Sequence, residues 1–482
     1  MHPAMVSRIL GLFLMVFSAT LLVPIAVALA YGEDTHGAFF LSFAITYSLG
    51  MLMWLPFSRR PLNLRTRDGF VVTTLFWVVL GLVGAMPLML MTEVHLSFTN
   101  AVFESISGLT TTGATVMTGL DHMPRSILYY RQQLHWLGGI GIVVIAVAIM
   151  PMLGVGGMQL YRAEMMGPAK EAKMTPRIAQ TAKVLFIIYV ALTAACALAF
   201  WLAGMSVFDA VTHSFSTIAT GGFSNYDASL GYFRNNVIYT IAVVFMILAG
   251  ASFGLHYYTW VKGSIRHYWR NPESKLYLQI IAAGSVITVL YLLGTGHHDA
   301  ENSVVHGTFQ LVSIITSTGF ITDDFSTWPT FLPFFLLVLS FFGGCVGSTA
   351  GGVKMGRMLF LGKQGFRELS RLVHPNGVFP LKIRNWVVEE HVTDSVWAFF
   401  CVYLGVYYLF VLLLLASGLD YVTAWSATAA TINNMGPGLG DVAVNFDQIN
   451  LFAKWVLSAA MIVGRLEIFT VLVLFTPMFW RR

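Results

Sequence analysis

The chain has 482 residues, of which 56% are hydrophobic and 11% charged, with a mean hydropathy of +0.72 and a formal net charge of +5. Soluble domains carry about 25% charged residues, so the composition excludes a soluble globular protein and marks an integral membrane protein. The basic balance follows membrane topology, as set out below, and is no argument for nucleic acid as a partner.

Apolar runs near the length that crosses a bilayer fall at about 8–30, 38–57, 70–92, 126–150, 184–204, 235–260, 277–294, 329–360, 395–417 and 449–480, which makes ten spans. Only Arg8 precedes the first run, and no small-residue cleavage site follows it, so it reads as a retained helix and not a signal peptide. With the N-terminus cytoplasmic, 23 of the 28 Lys and Arg fall on the inner side, in Arg8, the segments 59–67, 162–183, 262–275 and 354–384, and Arg481 and Arg482. Arg125, Arg131, Arg234 and Lys454 stay outside, and Arg465 lies within the last span. This bias is what the positive-inside rule requires, and it places both termini in the cytoplasm. Acidic residues, among them Glu104, Asp209, Asp227, Asp299, Asp323 and Asp420, gather on the outer side. They either solvate loops or form a negative mouth that concentrates cations.

Two spans occupy residues 1–69. The rest divides into four units, 70–160, 161–262, 263–361 and 362–482, each a pair of spans around a short helical segment and a polar stretch that ends in glycine. At about 10–14 residues such a segment is too short to cross and suits a re-entrant helix; Asp209 and Asp420 sit where a helix start favours an acidic residue or cap. The four stretches align on Gly113, Gly222, Gly319 and Gly436, roughly 100–115 residues apart. Four residues before each glycine stands Leu109, Ile218, Ile315 or Ile432, and two before it Thr111, Thr220, Ser317 or Asn434. Irregular backbone at membrane depth is tolerated only when buried in protein or lining a wet cavity, and four such stretches facing one another meet that condition. A ring of main-chain carbonyls can replace the hydration shell of an alkali cation. The carbonyls expected to do so come from Thr111, Thr112, Thr220, Gly221, Ser317, Thr318, Asn434 and Met435, with the anchor glycines keeping the bore free of side chains.

Other chemistry finds no carrier. No Walker A lysine, nucleophile elbow or HExxH pattern occurs, and no catalytic or organic-cofactor residues are expected. Cys196, Cys345 and Cys401 read as buried free thiols. The cluster His297, His298, Asp299, Glu301 and His306 lacks metal-ligand spacing and reads as a solvated turn in an outer loop.

The unit of span, re-entrant helix, filter stretch and span resembles the potassium-channel pore with four subunits fused in one chain. More specifically, the chain resembles the Trk/Ktr/HKT superfamily of potassium uptake proteins. The residues that carry the likeness are Gly222-Phe223, Gly319-Phe320, the Asn-Asn-Met-Gly-Pro-Gly run at 433–438 and Gln-Leu-His-Trp-Leu-Gly-Gly at 133–139; these and the two additional N-terminal spans are similar to the TrkH-type membrane subunits. The resemblance implies an all-α integral membrane protein of ten helices, the last eight arranged as four units around one pseudo-fourfold pore. It implies potassium as the bound ion, a bacterial inner membrane, a homodimer and a cytosolic nucleotide-binding regulatory subunit of TrkA type. Four glycine anchors look like the potassium-selective pattern, since sodium-admitting relatives often carry serine where Gly113 stands. The run 343–352 holds five glycines, Gly343, Gly344, Gly347, Gly351 and Gly352, and cannot form a stable helix. It is either a kink where backbones approach closely or, as the resemblance implies, a movable loop that obstructs the pore. Arg465 lies deep in a span, where arginine faces a cavity or a partner; the resemblance places it facing the pore as an electrostatic barrier. Glu467, two residues on, points to another helix face.

Overall fold

A computed structural model describes residues 2–58, 66–148, 178–383, 386–388 and 390–481. These are helical apart from loops and one short antiparallel ladder of Lys382–Ile383 with Trp386–Val387. Among the described residues, six helices are long and apolar enough to cross a membrane: Pro3–Tyr31, His36–Phe57, Arg67–Leu90, Ala182–Leu202, Pro272–Thr295 and Val392–Ala416. A seventh long helix, Arg125–Ala148, occupies the run expected at 126–150 but carries Arg131, Gln132, Gln133 and His135 on buried faces. The inner segments around Arg59, Arg60 and Arg65, and around Arg162 to Arg177, lie outside the described residues.

Three expected spans are not continuous. The run at 235–260 divides into Asn236–Gly250 and Phe253–Lys262, bent by 96°, and the run at 449–480 into Leu451–Arg465 and Phe469–Phe475, bent by 106°. The run at 329–360 is helical only over Phe331–Ser340 before the glycine loop, and helix resumes at Met355–Val373. At the first bend the freed backbone groups find partners in that loop: the Cys345 amide donates to the Gly250 carbonyl (2.8 Å), and the Phe253 amide donates to the Gly347 carbonyl (3.0 Å). At the second, Glu467 and Ile468 both adopt left-handed torsions (φ 55° and 48°), conformations that tertiary contacts must impose on a β-branched residue.

Among the described residues the helices pack mainly through two large hydrophobic clusters, with two smaller ones beside them. One large cluster gathers Tyr189, Phe200, Phe253, Tyr277, Phe309, Phe320 and Tyr403; the other gathers Phe17, Phe39, Trp77, Phe103, Tyr130 and Phe446. Outward faces are also apolar, with Val16, Phe40, Leu52, Leu198, Leu290, Leu409 and Leu412 exposed. Large aliphatics cost nothing against lipid, so this surface suits a bilayer as its solvent. Pro3–Tyr31 and His36–Phe57 cross where Gly11 and Gly50 let the backbones meet: a Cβ on Gly11 would stand 2.6 Å from the Gly50 carbonyl oxygen. Cys196 and Cys345 are buried as expected, whereas Cys401 is exposed on the outer face of its helix.

Candidate functional site

Four short helices set the site: Phe98–Leu109, Val207–Ala219, Ala300–Ile315 and Tyr421–Ile432. Each begins on a side-chain cap. Ser97, Ser206 and Asp299 accept the amides of Asn100, Asp209 and Asn302, and Asp420 accepts those of Val422 and Thr423. Asp420 therefore caps as its position implied. Asp209 instead lies three residues inside its helix, where its carboxylate accepts the Ser206 hydroxyl (2.7 Å).

All four helices end in the same backbone motif. Thr111, Thr220, Ser317 and Asn434 take left-handed torsions with φ of 52°, 52°, 51° and 50°. Their amides donate to Gly108, Thr217, Ile314 and Thr431, and the next amides reach back to Ser107, Ser216, Ser313 and Ala430 at 2.8–2.9 Å. This is the paired closure that usually takes glycine at the left-handed position. A non-glycine residue there costs on the order of 1–3 kcal/mol and persists only where its surroundings over-determine it. Two residues on, Gly113, Gly222, Gly319 and Gly436 again have positive φ, of 81°, 82°, 82° and 98°.

The stretches meet in a closed circuit. A Cβ on Gly113 would strike the Gly221 carbonyl oxygen, one on Gly222 that of Thr318, one on Gly319 that of Met435, and one on Gly436 that of Thr112 at 2.7 Å. Each anchor glycine thus abuts the carbonyl of the residue just before the next anchor in chain order, and the fourth returns to the first. All four line one cavity of about 200 Å³. Thr112, Gly221, Thr318 and Met435 are brought together by this contact; Thr111, Thr220, Ser317 and Asn434 lie one residue deeper, fully or almost fully buried.

A polar scaffold that sequence reading did not single out stands behind the first two stretches. Buried Glu104 pairs with buried Arg131 (2.8 Å) and accepts the Val116 amide (2.9 Å) and the Thr115 hydroxyl. Arg131 also donates to the Ser224 carbonyl and the Thr115 hydroxyl, and its guanidinium lies 4.2 Å from the Phe223 ring centroid. Gln132 donates to the Phe223 carbonyl, and His135 stacks on the Phe223 ring with its Nδ1 2.6 Å from the Ser216 hydroxyl. The sequence placed Glu104 and Arg131 only on the outer side, whereas the fold buries both completely, and a buried ionisable residue needs a partner.

The glycine loop sits on the helix side of the stretches, away from the anchor cavity. Its Thr349 hydroxyl donates to the Ile218 carbonyl (3.0 Å), and its Gly351 amide donates to the Ser317 hydroxyl (2.5 Å). A Cβ on Gly351 would strike the Asn433 carbonyl, and one on Gly343 would strike the Gly351 carbonyl. The loop therefore touches three of the four stretches. Two cations hold it: Arg465 donates to the Thr349 carbonyl (2.8 Å), and Lys354 donates to the Ala350 carbonyl. The Nε and Nη2 of Arg465 have no partner among the described residues. Glu467 does not pair with Arg465 but with Arg357 (2.5 Å), which ties the base of the loop to the bend of the last span. The Val346 amide donates to Glu273 (2.6 Å).

Apolar outer faces, broken spans and buried polar stretches define a multi-pass, all-helical membrane transport protein. The family model described as "Cation transport protein", TrkH, matches residues 35–482. The chain is 50% identical over 482 residues, covering 100% of both chains, to the Trk system potassium uptake protein TrkH of Halomonas elongata and equally to that of Escherichia coli K12. It is 40% identical over 480 residues to the Escherichia coli potassium uptake protein TrkG, covering 100% of this chain and 99% of the relative. The crystal structure of the potassium transporter TrkH from Vibrio parahaemolyticus superposes with a TM-score of 0.93 at 47% identity, with 100% of each chain covered. The chain belongs to the TrkH family of cation transport proteins, and it is no enzyme.

Proposed function

We propose that this chain takes up potassium across a bacterial inner membrane by channel-like permeation through one pseudo-fourfold pore. The observation that carries the reading is the closed circuit of Gly113, Gly222, Gly319 and Gly436, each against a carbonyl of the next stretch. Potassium is coordinated by main-chain oxygens of Thr111, Thr112, Thr220, Gly221, Ser317, Thr318, Asn434 and Met435, which offer a weak ligand field without a trapping charge. The named relatives are potassium uptake proteins, which supports the choice of ion. The glycine loop obstructs the inner side of this pathway, and Arg465 adds a positive barrier beside it. A homodimer and a TrkA-type cytosolic subunit that moves the loop complete the proposal, with both termini cytoplasmic as the charge bias requires.

The rival is a secondary transporter that couples potassium to protons or sodium, and the bent spans give it a foothold, since such transporters use broken helices. Liposomes with the purified chain separate the two. Under the channel reading potassium flux follows the potassium gradient and membrane potential and stops when they balance. Accumulation of potassium beyond that balance, driven by a proton or sodium gradient, would establish coupling instead.

A further inference from the structure

We propose that His297, His298 and Asp323 form a binding site for a divalent transition cation of the zinc class, on the anchor-glycine side of the molecule. Each residue offers one ligand atom, and these atoms lie within 4.8 Å of one another. The site is assembled from two segments. Gly296, at φ 67°, turns the chain sharply after Pro272–Thr295, and the His297 amide closes that turn on the Leu292 carbonyl. The neighbouring rings of His297 and His298 consequently stay together, with centroids 4.7 Å apart. The loop that leaves the third stretch brings Asp323 to 2.9 Å from His298 Nε2.

The surroundings hold the ligands in place. Trp328 Nε1 donates to Asp323 Oδ2 (2.6 Å), and the Ser303 hydroxyl donates to the His298 carbonyl. A carboxylate fixed by an outer hydrogen bond is the common support of a protein metal site. Neighbouring candidates are engaged elsewhere: Asp299 caps a helix, Glu301 accepts from Asn236, and His306 pairs with Thr322. Zinc takes its ligands at about 2.0–2.2 Å, so the donors must draw closer, and exposed His297 is free to swing inward. Two imidazoles and one carboxylate suit zinc, nickel or copper and not the all-oxygen preference of magnesium or calcium.

Asp323 and His306 line a cavity of about 570 Å³. Asp227, Ile321 and Val444 are common to its wall and to that of the anchor-glycine cavity. A bound ion would fasten the segment four residues beyond Gly319 to the turn before the third short helix, and so restrain the third stretch.

Zinc chloride titrated calorimetrically into the tag-free full chain in detergent tests the site. One equivalent should bind, at least about tenfold more weakly in His297→Ala, His298→Ala and Asp323→Asn, with a smaller loss in Trp328→Phe and none in His36→Ala. Absence of binding by the wild type, or affinity unchanged in His297→Ala and His298→Ala, overturns the site; His297 is exposed, so its variant tests ligation without threatening the fold. In liposomes, zinc on that side should slow potassium flux in the wild type and not in His298→Ala. This arm rests on the potassium reading. Zinc that binds but leaves a working flux unchanged refutes the restraint and not the site.

Discussion

Glu104 and Arg131 are both fully buried, and each would be untenable alone. Removing one member of a buried pair leaves an uncompensated charge, at a cost of about 3–5 kcal/mol. Glu104 also accepts the Val116 amide, so it braces the backbone three residues beyond Gly113. Glu104→Gln is therefore expected to lower thermal stability in detergent by an amount of that order. Glu104→Gln with Arg131→Met should recover part of the loss, because the orphaned charge is gone. A single mutant as stable as wild type would mean that the pair does not brace the fold. The pairing was not legible in the sequence, where the partners stand 27 residues apart on different helices. The anchor glycines and their flanking positions were legible because their pattern recurs four times. The left-handed torsion of Thr111 and Thr220 was not, since threonine has no local preference for it and the surroundings impose it.

The same contrast holds for whole elements. Five glycines in ten residues announced that 343–352 could not remain helical, whereas nothing local announced the bends at 250–253 and 465–469. Those bends depend on partners far along the chain: the Gly250 carbonyl is satisfied by Cys345, and Glu467 by Arg357. Arg465, Thr349 and Gly351 tie the loop to the last span and the stretches, Lys354 holds its Ala350 carbonyl, and Cys345, Val346 and Gly347 tie it to the first bend and to Glu273. Deleting Gly344–Gly351 should raise basal potassium flux several-fold in liposomes, because the obstruction leaves while the anchor circuit stays. Arg465→Ala removes both a positive charge and the hydrogen bond to the Thr349 carbonyl, so it should raise flux as well, by less than the deletion does. A folded deletion variant with wild-type flux would show that the loop is only packing. If Arg465→Ala lowered thermal stability while flux per folded molecule stayed constant, the arginine would be a structural tie and not a barrier.

At the scale of the molecule, four units separated by about a quarter of the chain must cooperate to close one circuit, and that makes the anchors a graded test. Each anchor glycine has positive φ, and an added Cβ at each would fall closer than 3.0 Å to a carbonyl of the next stretch. Serine at any of them must push that carbonyl, or its own backbone, out of place. Displaced carbonyls coordinate potassium less evenly, and a hydroxyl in the bore offers a smaller, harder cation an alternative ligand. Gly113→Ser, Gly222→Ser, Gly319→Ser and Gly436→Ser should therefore each reduce the preference for potassium over sodium, measured by competitive uptake or reversal potential. The clashes are unequal. The nearest carbonyl stands 2.7 Å from the Cβ position of Gly436 and closer still for the other three, so Gly436→Ser should be the mildest of the set. Ser107→Ala is the control: Ser107 is buried in the first short helix, its hydroxyl has no partner among the described residues, and only its backbone serves the turn. It should leave selectivity intact. Wild-type discrimination and flux in two or more of the serine variants would show that the stretches do not form a common filter. Equal loss in all four, with no relief at Gly436, would show that backbone torsion, and not the contact with the neighbouring stretch, sets the tolerance.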